Sequence, residues 1–260
     1  MTLPSLPEDW ESTRTTLQAY GQALTAIPRA AGTPDDRWTH VAMQVGSNGL
    51  RTAQTPLADG TELVASIDLT RHQIVITAGE DVEQLDIIPG PSPASVGELM
   101  LAVASRHGSE IDVDRERFGG SDPLPYDAGH AEAFHAAATY VAHAFRKMNE
   151  SVPGEVTGPH LWPHGFDIAT EWYSTKRVPH GESDASAQIA VGFYPAGESY
   201  FYANPWPFED AWGDKPPVEG ATWHLDGWQG AVLDPGGVDE ADIVAFGAAV
   251  HELAREALGS

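Results

Sequence analysis

Short stretches in which apolar and polar residues alternate, each closed by a turn signal, recur through this 260-residue chain, and that pattern points to antiparallel sheet. Val41, Met43 and Val45 alternate with His40, Ala42 and Gln44 ahead of Asn48-Gly49, a two-residue hairpin signal. After Asp59-Gly60, Leu63, Ala65 and Ile67 share a face. Ile74 and Ile76 continue the meander, and 82–87 supplies one more strand. The second half repeats this pattern. Phe166, Ile168, Thr170 and Trp172 alternate, then Ala187, Ile189, Val191 and Phe193, with further strands at 199–203 and 221–225.

Between these stretches the period changes to that of a helix. Trp10, Leu17, Tyr20, Leu24 and Ile27 step by threes and fours, predicting a helix over 8–27. The proline-rich 89–93 ends the first meander and leads into a helix at 94–107. A third helix, 127–149, carries Phe134, Ala138, Val141, Phe145 and Met148 on one stripe. The last, 239–258, has Ile243, Phe246, Val250, Leu253 and Ala257 in line. The expected fold is α+β: an antiparallel sheet from two similar meander-plus-helix halves, 38–107 and 158–258, with the helices packed on one side. The helix at 127–149 joins the halves, and the whole is read as a single compact unit.

Composition narrows the chemistry. With no cysteine, disulfides, thiolate metal sites and cysteine nucleophiles are all excluded. Thirty-eight acids against fourteen bases give a formal charge of −24, which disfavours nucleic acid and anionic membranes as partners. The acids are scattered and lysines are only Lys147, Lys176 and Lys215, a pattern that suits a surface adapted to high salt more than a focused cation-attracting patch. No apolar run approaches membrane-spanning length, and the N-terminus lacks the features of a signal peptide, so a cytoplasmic location is expected. The oligomeric state and any cofactor are left open.

The chemistry-bearing residues concentrate in 158–228, which holds six of the eight tryptophans and four histidines. His160, His164 and Asp167 are potential ligands for zinc, iron or manganese, although a spacing of four then three matches no metal signature. On a strand His160 and His164 would share a face, but Pro163 and Gly165 interrupt a regular strand. His40 stands at the start of the first strand and would meet His160 if the first strands of the two halves were neighbours. His130 lies on the apolar stripe of its helix; His143 faces water; His72, His107, His180 and His251 read as surface residues. The run 192–206, rich in Phe and Tyr, would wall a pocket for a flat or cationic ligand, or form a rigid aromatic core. No phosphate loop, nucleophile elbow or zinc-protease motif occurs.

Trp38-Thr39-His40-Val41, Tyr126-Asp127, Pro159-His160-Leu161-Trp162, Gly165-Phe166-Asp167-Ile168-Ala169, and Gly192-Phe193-Tyr194-Pro195 before Tyr200-Phe201-Tyr202-Ala203 follow in this order. The set resembles a bacterial domain-of-unknown-function family, number 5996, over about Trp10 to Trp206. The resemblance implies no activity. Its pattern has counterparts at Trp38, His40, His160, Trp162, Phe166, Asp167 and Phe193, and a small polar residue where this chain has His164. It therefore implies His40, His160 and Asp167 as a polar cluster in preference to the His160–His164 pair.

The leading expectation is a small-molecule-binding protein, its pocket walled by Trp38, Trp162, Phe193, Tyr202 and Trp206, with His40, His160 and Asp167 as polar contacts. As an enzyme it would be a hydrolase, with a metal on His40, His160 and an acid, or with His160 paired to Asp167 as general base. A third reading is an interaction module without a site, in which the aromatics are all core.

Overall fold

The computed structural model describes residues 2–181, 183–215 and 219–258, with side chains to Arg255. Ala257, the last residue of the predicted closing stripe, lies outside the described side chains. Among the described residues there are four α-helices and twelve strands, and every strand pairing is antiparallel, so the class is mixed α+β. The chain forms two compact units. One comprises Ser5–Thr139 with His160–Phe166; the other comprises Met1–Pro4, Tyr140–Pro159 and Asp167–Ser260.

In the first unit α1 (Glu11–Ala31) precedes a meander of β1 (Met43–Gly46), β2 (Gly49–Thr52), β3 (Thr55–Pro56), β4 (Glu62–Asp68), β5 (Gln73–Ala78) and β6 (Asp81–Asp86), and α2 (Pro93–Arg106) follows. Strand order is β1-β2-β4-β5-β6, with β3 also on β4. The alternation does what it predicts. Leu63, Ala65, Ile67, Ile74, Ile76 and Ala78 are all buried, and Val82 on the edge strand β6 is half exposed. Helix α1 lies against α2, β2, β3 and β4. Its stripe of Leu17, Tyr20, Leu24 and Ile27 is fully buried, with Trp10 just ahead of the first turn. The first hairpin turns one residue earlier than its Asn48-Gly49 signal suggests: Ser47 and Asn48 form the turn and Gly46 pairs with Gly49. Val41 and His40 are not in the strand either; Thr39–Val41 is a single 3-10 turn leading into it.

Helix α3 (Ala128–Ser151) begins in the first unit and ends in the second. Its early residue Phe134 stacks between Trp10 (ring centroids 5.3 Å apart) and Phe166 (5.1 Å). Strand β7 (Glu155–Trp162) also passes from one unit to the other, and its last residues pair with β1 through Met43 with Leu161 and Gln44 with His160.

The second unit carries β8 (Asp167–His180), β9 (Ser183–Tyr194), β10 (Tyr200–Trp206), β11 (Ala221–His224) and β12 (Gly230–Leu233), then α4 (Glu240–Leu258). Strand order is β11-β12-β10-β9-β8. The register sets Ile168, Phe193 and Phe201 side by side on one face, with Thr170, Val191 and Ala203 next to them. Helix α4 covers this face and all six are buried. Phe145 of α3 meets Phe201 edge-on at 6.4 Å. The helices approach closely because position 247 is glycine: a Cβ there would stand 2.0 Å from the Met148 sulfur. That close approach turns the same flank of α4 inward one turn later, so His251, read from sequence as a surface residue, is 7% exposed with its ring edge-on to Trp172.

Candidate functional site

Because strand side chains alternate, the residues opposite the α4-covered face of the second unit are fixed by the same register. Asp167, Ala169 and Glu171 come from β8, Ala190, Gly192 and Tyr194 from β9, and Tyr200, Tyr202 and Asn204 from β10. This face holds a cleft of about 390 Å³ lined by Asp167, Tyr194, Tyr200, Tyr202, Asn204 and Trp228, together with Ala190. That volume is within the range of small-molecule sites.

Four aromatic rings shape the cleft. Tyr194 and Tyr200 lie 5.3 Å apart, Tyr200 and Tyr202 6.4 Å, and Trp228 stands 6.4 Å from Tyr200 and 6.2 Å from Tyr202. Trp228 sits in the turn between β11 and β12. It is held from outside by His224, stacked on it at 4.5 Å with its Nδ1 3.0 Å from the Trp228 carbonyl. The hydroxyl of Tyr202 donates to Asp167. Burial raises the Tyr202 pKa well above its ordinary value, and the neighbouring Asp167 charge raises it further. Tyr200 is raised as well, by burial, then Tyr194 and Asp167. Both phenols therefore remain neutral donors at physiological pH, and among the described residues no lysine, arginine or histidine lines the cleft.

Two of the residues singled out from sequence, Asp167 and Tyr202, meet in this cleft. Phe193 points to the other face and is 1% exposed, its ring tilted against Phe201 at 4.9 Å. Trp206, at the far end of β10, packs edge-on against His180. Tyr194, Tyr200 and Asn204 lie in the run 192–206 expected to wall a pocket or form a core, but neither they nor Trp228 are among the five wall residues expected by number. The first three carry a readable signal, since positions 200, 202 and 204 share parity and 194 pairs with 200. Trp228 lies in a turn and has none.

The other predicted residues gather in the first unit. Asp35, in the loop after α1, organises the turn: its Oδ1 accepts from the Arg37 amide (2.8 Å), and its Oδ2 accepts from the Thr39 hydroxyl (2.9 Å) and the His40 amide (3.1 Å). Burial acts to raise its carboxyl, but the hydrogen bonds from Thr39, Arg37 and His40 outweigh that and hold it at about 2. The same Oδ2 stands 3.3 Å from His40 Nδ1. A proton on Nδ1 would be donated to that carboxylate and leave Nε2 as the ring's acceptor, whereas the Asp35 amide, 3.5 Å from the same Nδ1, donates to it in the opposite tautomer. His40 is thus the member of a His–Asp pair, with Asp35 as its partner. Trp38, in the left-handed conformation and 55% exposed, covers the imidazole at 5.5 Å.

His160 is near this pair. Gln44, four residues after His40, is its cross-strand partner. Desolvation lowers the His160 pKa, and the charge of Asp35 opposes that shift. Its Nδ1 is buried without a hydrogen-bond partner among the described residues. Trp162 lies 6.3 Å from His160 and 6.2 Å from His164. His164 departs from the strand because β7 ends at Trp162 and a tight turn closes with the Phe166 amide donating to the Trp162 carbonyl at 2.7 Å. The predicted residues therefore divide. His40, His160, Trp38 and Trp162 belong to the first unit, and Asp167, Tyr202, Phe193 and Trp206 to the second.

The remaining histidines hold structural contacts: His130 with Asp9, His72 with Glu132 and the Tyr126 hydroxyl, His107 with Asp59, His143 with Glu240, and His135 with the Gly46 carbonyl. Among the described residues no three His, Asp or Glu side chains are grouped to hold a metal ion, and no helix is long and apolar enough to cross a membrane.

No curated protein and no solved structure matches the chain. A family model does, over residues 3–240, a span that takes in the cleft, the His40–Asp35 pair and all twelve strands. The chain belongs to the family of unknown function DUF5996.

Proposed function

We propose that the protein binds a small organic cation, an alkylated or methylated ammonium compound, in the cleft around Asp167. The observation that carries this reading is the composition of the lining: four aromatic rings, one carboxylate and, among the described residues, no basic side chain. Aromatic faces attract ammonium groups, and a site without a competing cation leaves that attraction unopposed. Tyr202 donates to Asp167 and keeps the carboxylate pointed at the ring cluster. The acidic surface supports the reading by raising the local concentration of cations.

The test is calorimetric titration with choline and with its uncharged tert-butyl isostere. Saturable binding of choline, with much weaker binding of the isostere, is the expected result. Affinity should fall in Asp167→Asn and in Trp228→Ala. Equal affinity for charged and uncharged probes, or none for either, would remove the cation assignment.

The His40–Asp35 pair favours a second reading, general-base hydrolysis at the first unit. A carboxylate that stays ionised beside Nδ1 favours the tautomer in which Nε2 accepts a proton. Hydrolysis of a panel of activated esters that is abolished in His40→Gln and strongly reduced in Asp35→Asn would support it; equal rates in the native chain and His40→Gln would end it.

A further inference from the structure

In a chain where acids outnumber bases by nearly three to one, a second cleft has the opposite lining. It belongs to the first unit, measures about 240 Å³, and lies along the late turns of α1, beside Val41 and the turn at Pro163. Arg29 and Arg117 line it from two different segments, and His164 borders it as well. Among the described residues no carboxylate does. The rest of the lining is mixed: Gln22 and Thr25 with the apolar Ala26, Val41 and Pro163.

Arg29 makes no ion pair among the described residues. Its guanidinium instead lies over the Trp38 ring, 5.6 Å from the ring centre. A basic residue in the last turn of a helix complements the helix dipole. That accounts for its charge, but not for a position facing another arginine. Among the described residues Arg117 has only a loose charged neighbour, Asp114 at 3.6 Å, with both side chains about half exposed, and such a pair contributes little. Desolvation lowers the Arg29 pKa, and the charge of Arg117 lowers it further, which is the electrostatic signature of two cations facing one another without an anion between them. The turn carrying His164 is held to α1 by two amide side chains: Gln18 donates to the His164 carbonyl at 2.8 Å and Gln22 to the Pro163 carbonyl at 3.2 Å. The lining is thus fixed by the fold.

We infer that this cleft binds the oxyanion of a small molecule, a phosphate or carboxylate group seated between the guanidinium groups of Arg29 and Arg117 with His164 alongside. Two planar forks suit an oxyanion better than point charges do. The small volume limits the rest of the ligand to a compact body that meets both polar side chains, Gln22 and Thr25, and apolar ones, Ala26, Val41 and Pro163. This site is separate from the cation cleft in residues, in unit and in the charge of its ligand, and neither assignment depends on the other.

Inorganic phosphate and acetate serve as probes, each titrated into the native chain by calorimetry at constant ionic strength held with sodium chloride. Saturable binding of either probe supports the site, and the preferred probe identifies the group. Binding should weaken roughly tenfold or more in Arg29→Gln and again in Arg117→Gln. It should stay unchanged in Arg255→Gln, where the arginine is paired with Glu252 on α4. Both cleft arginines are exposed, and unaltered melting temperatures of the variants will confirm that they fold. Failure of both probes to saturate, or an equal loss in Arg255→Gln, would overturn the inference, since the latter would show only a general charge effect.

Discussion

Tyr202 lies across Gly192, its cross-strand partner: a Cβ built on Gly192 would stand 2.3 Å from the ring's Cζ and 2.4 Å from its hydroxyl. The ring reaches Asp167 only because β9 has no side chain at this point. Alanine would ordinarily suit a strand better than glycine. Here the added methyl must displace the ring and separate its hydroxyl from Asp167. Gly192→Ala is therefore expected to destabilise the chain by about 1–3 kcal/mol, as overpacking does. It should also weaken choline binding. Chemical denaturation and titration of the same variant check both parts, and an unchanged midpoint would show that the ring is free to move aside.

Tyr202→Phe separates the ring from its hydroxyl. The aromatic wall stays and the donor to Asp167 goes. A hydrogen bond to a charged group contributes about 1.5–3 kcal/mol, so stability should fall by that order. Affinity for choline should fall less than in Asp167→Asn, because the carboxylate charge remains. A larger loss in Tyr202→Phe than in Asp167→Asn would mean that the hydroxyl, not the carboxylate, meets the ligand.

How much of this was legible differs between fold and site. Alternation located β4, β5, β8 and β9, because apolar residues recur at every second position in each; β5 is buried on one face, whereas β4 and the first half of β8 are buried on both. It missed β7, where Gly158-Pro159 interrupts the pattern and Pro163 follows at once, and β12, where Gly230–Leu233 is too short to show a period. For the site, Asp167 and Tyr202 were readable as polar and aromatic residues on alternating strands. Phe193 was assigned to a wall because composition does not reveal parity; its neighbour Gly192 faces the cleft and Phe193 faces α4. Asp35 was hidden for a different reason. It lies in a loop, and its importance comes from a turn in which one carboxylate accepts from Arg37, Thr39 and His40, a local geometry with no period to detect.

The Asp35 turn gives a pH prediction. Its carboxyl is held at about 2 in the folded chain against an ordinary value of 3.8. A carboxyl with a depressed folded pKa contributes stability that is complete above the unfolded value and is lost as pH falls through the folded one. The native chain should therefore lose stability relative to Asp35→Asn between about pH 4 and pH 2, and the two should run parallel above that window. Melting temperatures of both proteins across this range provide the check. Parallel curves throughout would show that Asp35 is not held by its turn in solution.

His251 reports from the opposite direction. It is almost fully buried beside Trp172 and Met148, and its Nε2 has no hydrogen-bond partner among the described residues. Desolvation lowers its pKa below the ordinary 6.5; Glu252 opposes the shift and Arg255 adds to it. A histidine whose folded pKa is depressed is fully tolerated above the unfolded value, and its cost grows as pH falls below it, because the unfolded chain takes up the proton first. The second unit should therefore weaken as pH drops below about 6.5, ahead of the carboxylate transitions. His251→Leu, which fills the site without a titrating group, should flatten that part of the profile and leave Asp35 titration untouched. Hydrogen exchange of amides in α4 and β9, followed from pH 7 to pH 5, would localise the effect. Equal protection in the native chain and His251→Leu across that range would show that the buried imidazole finds a partner when it is protonated.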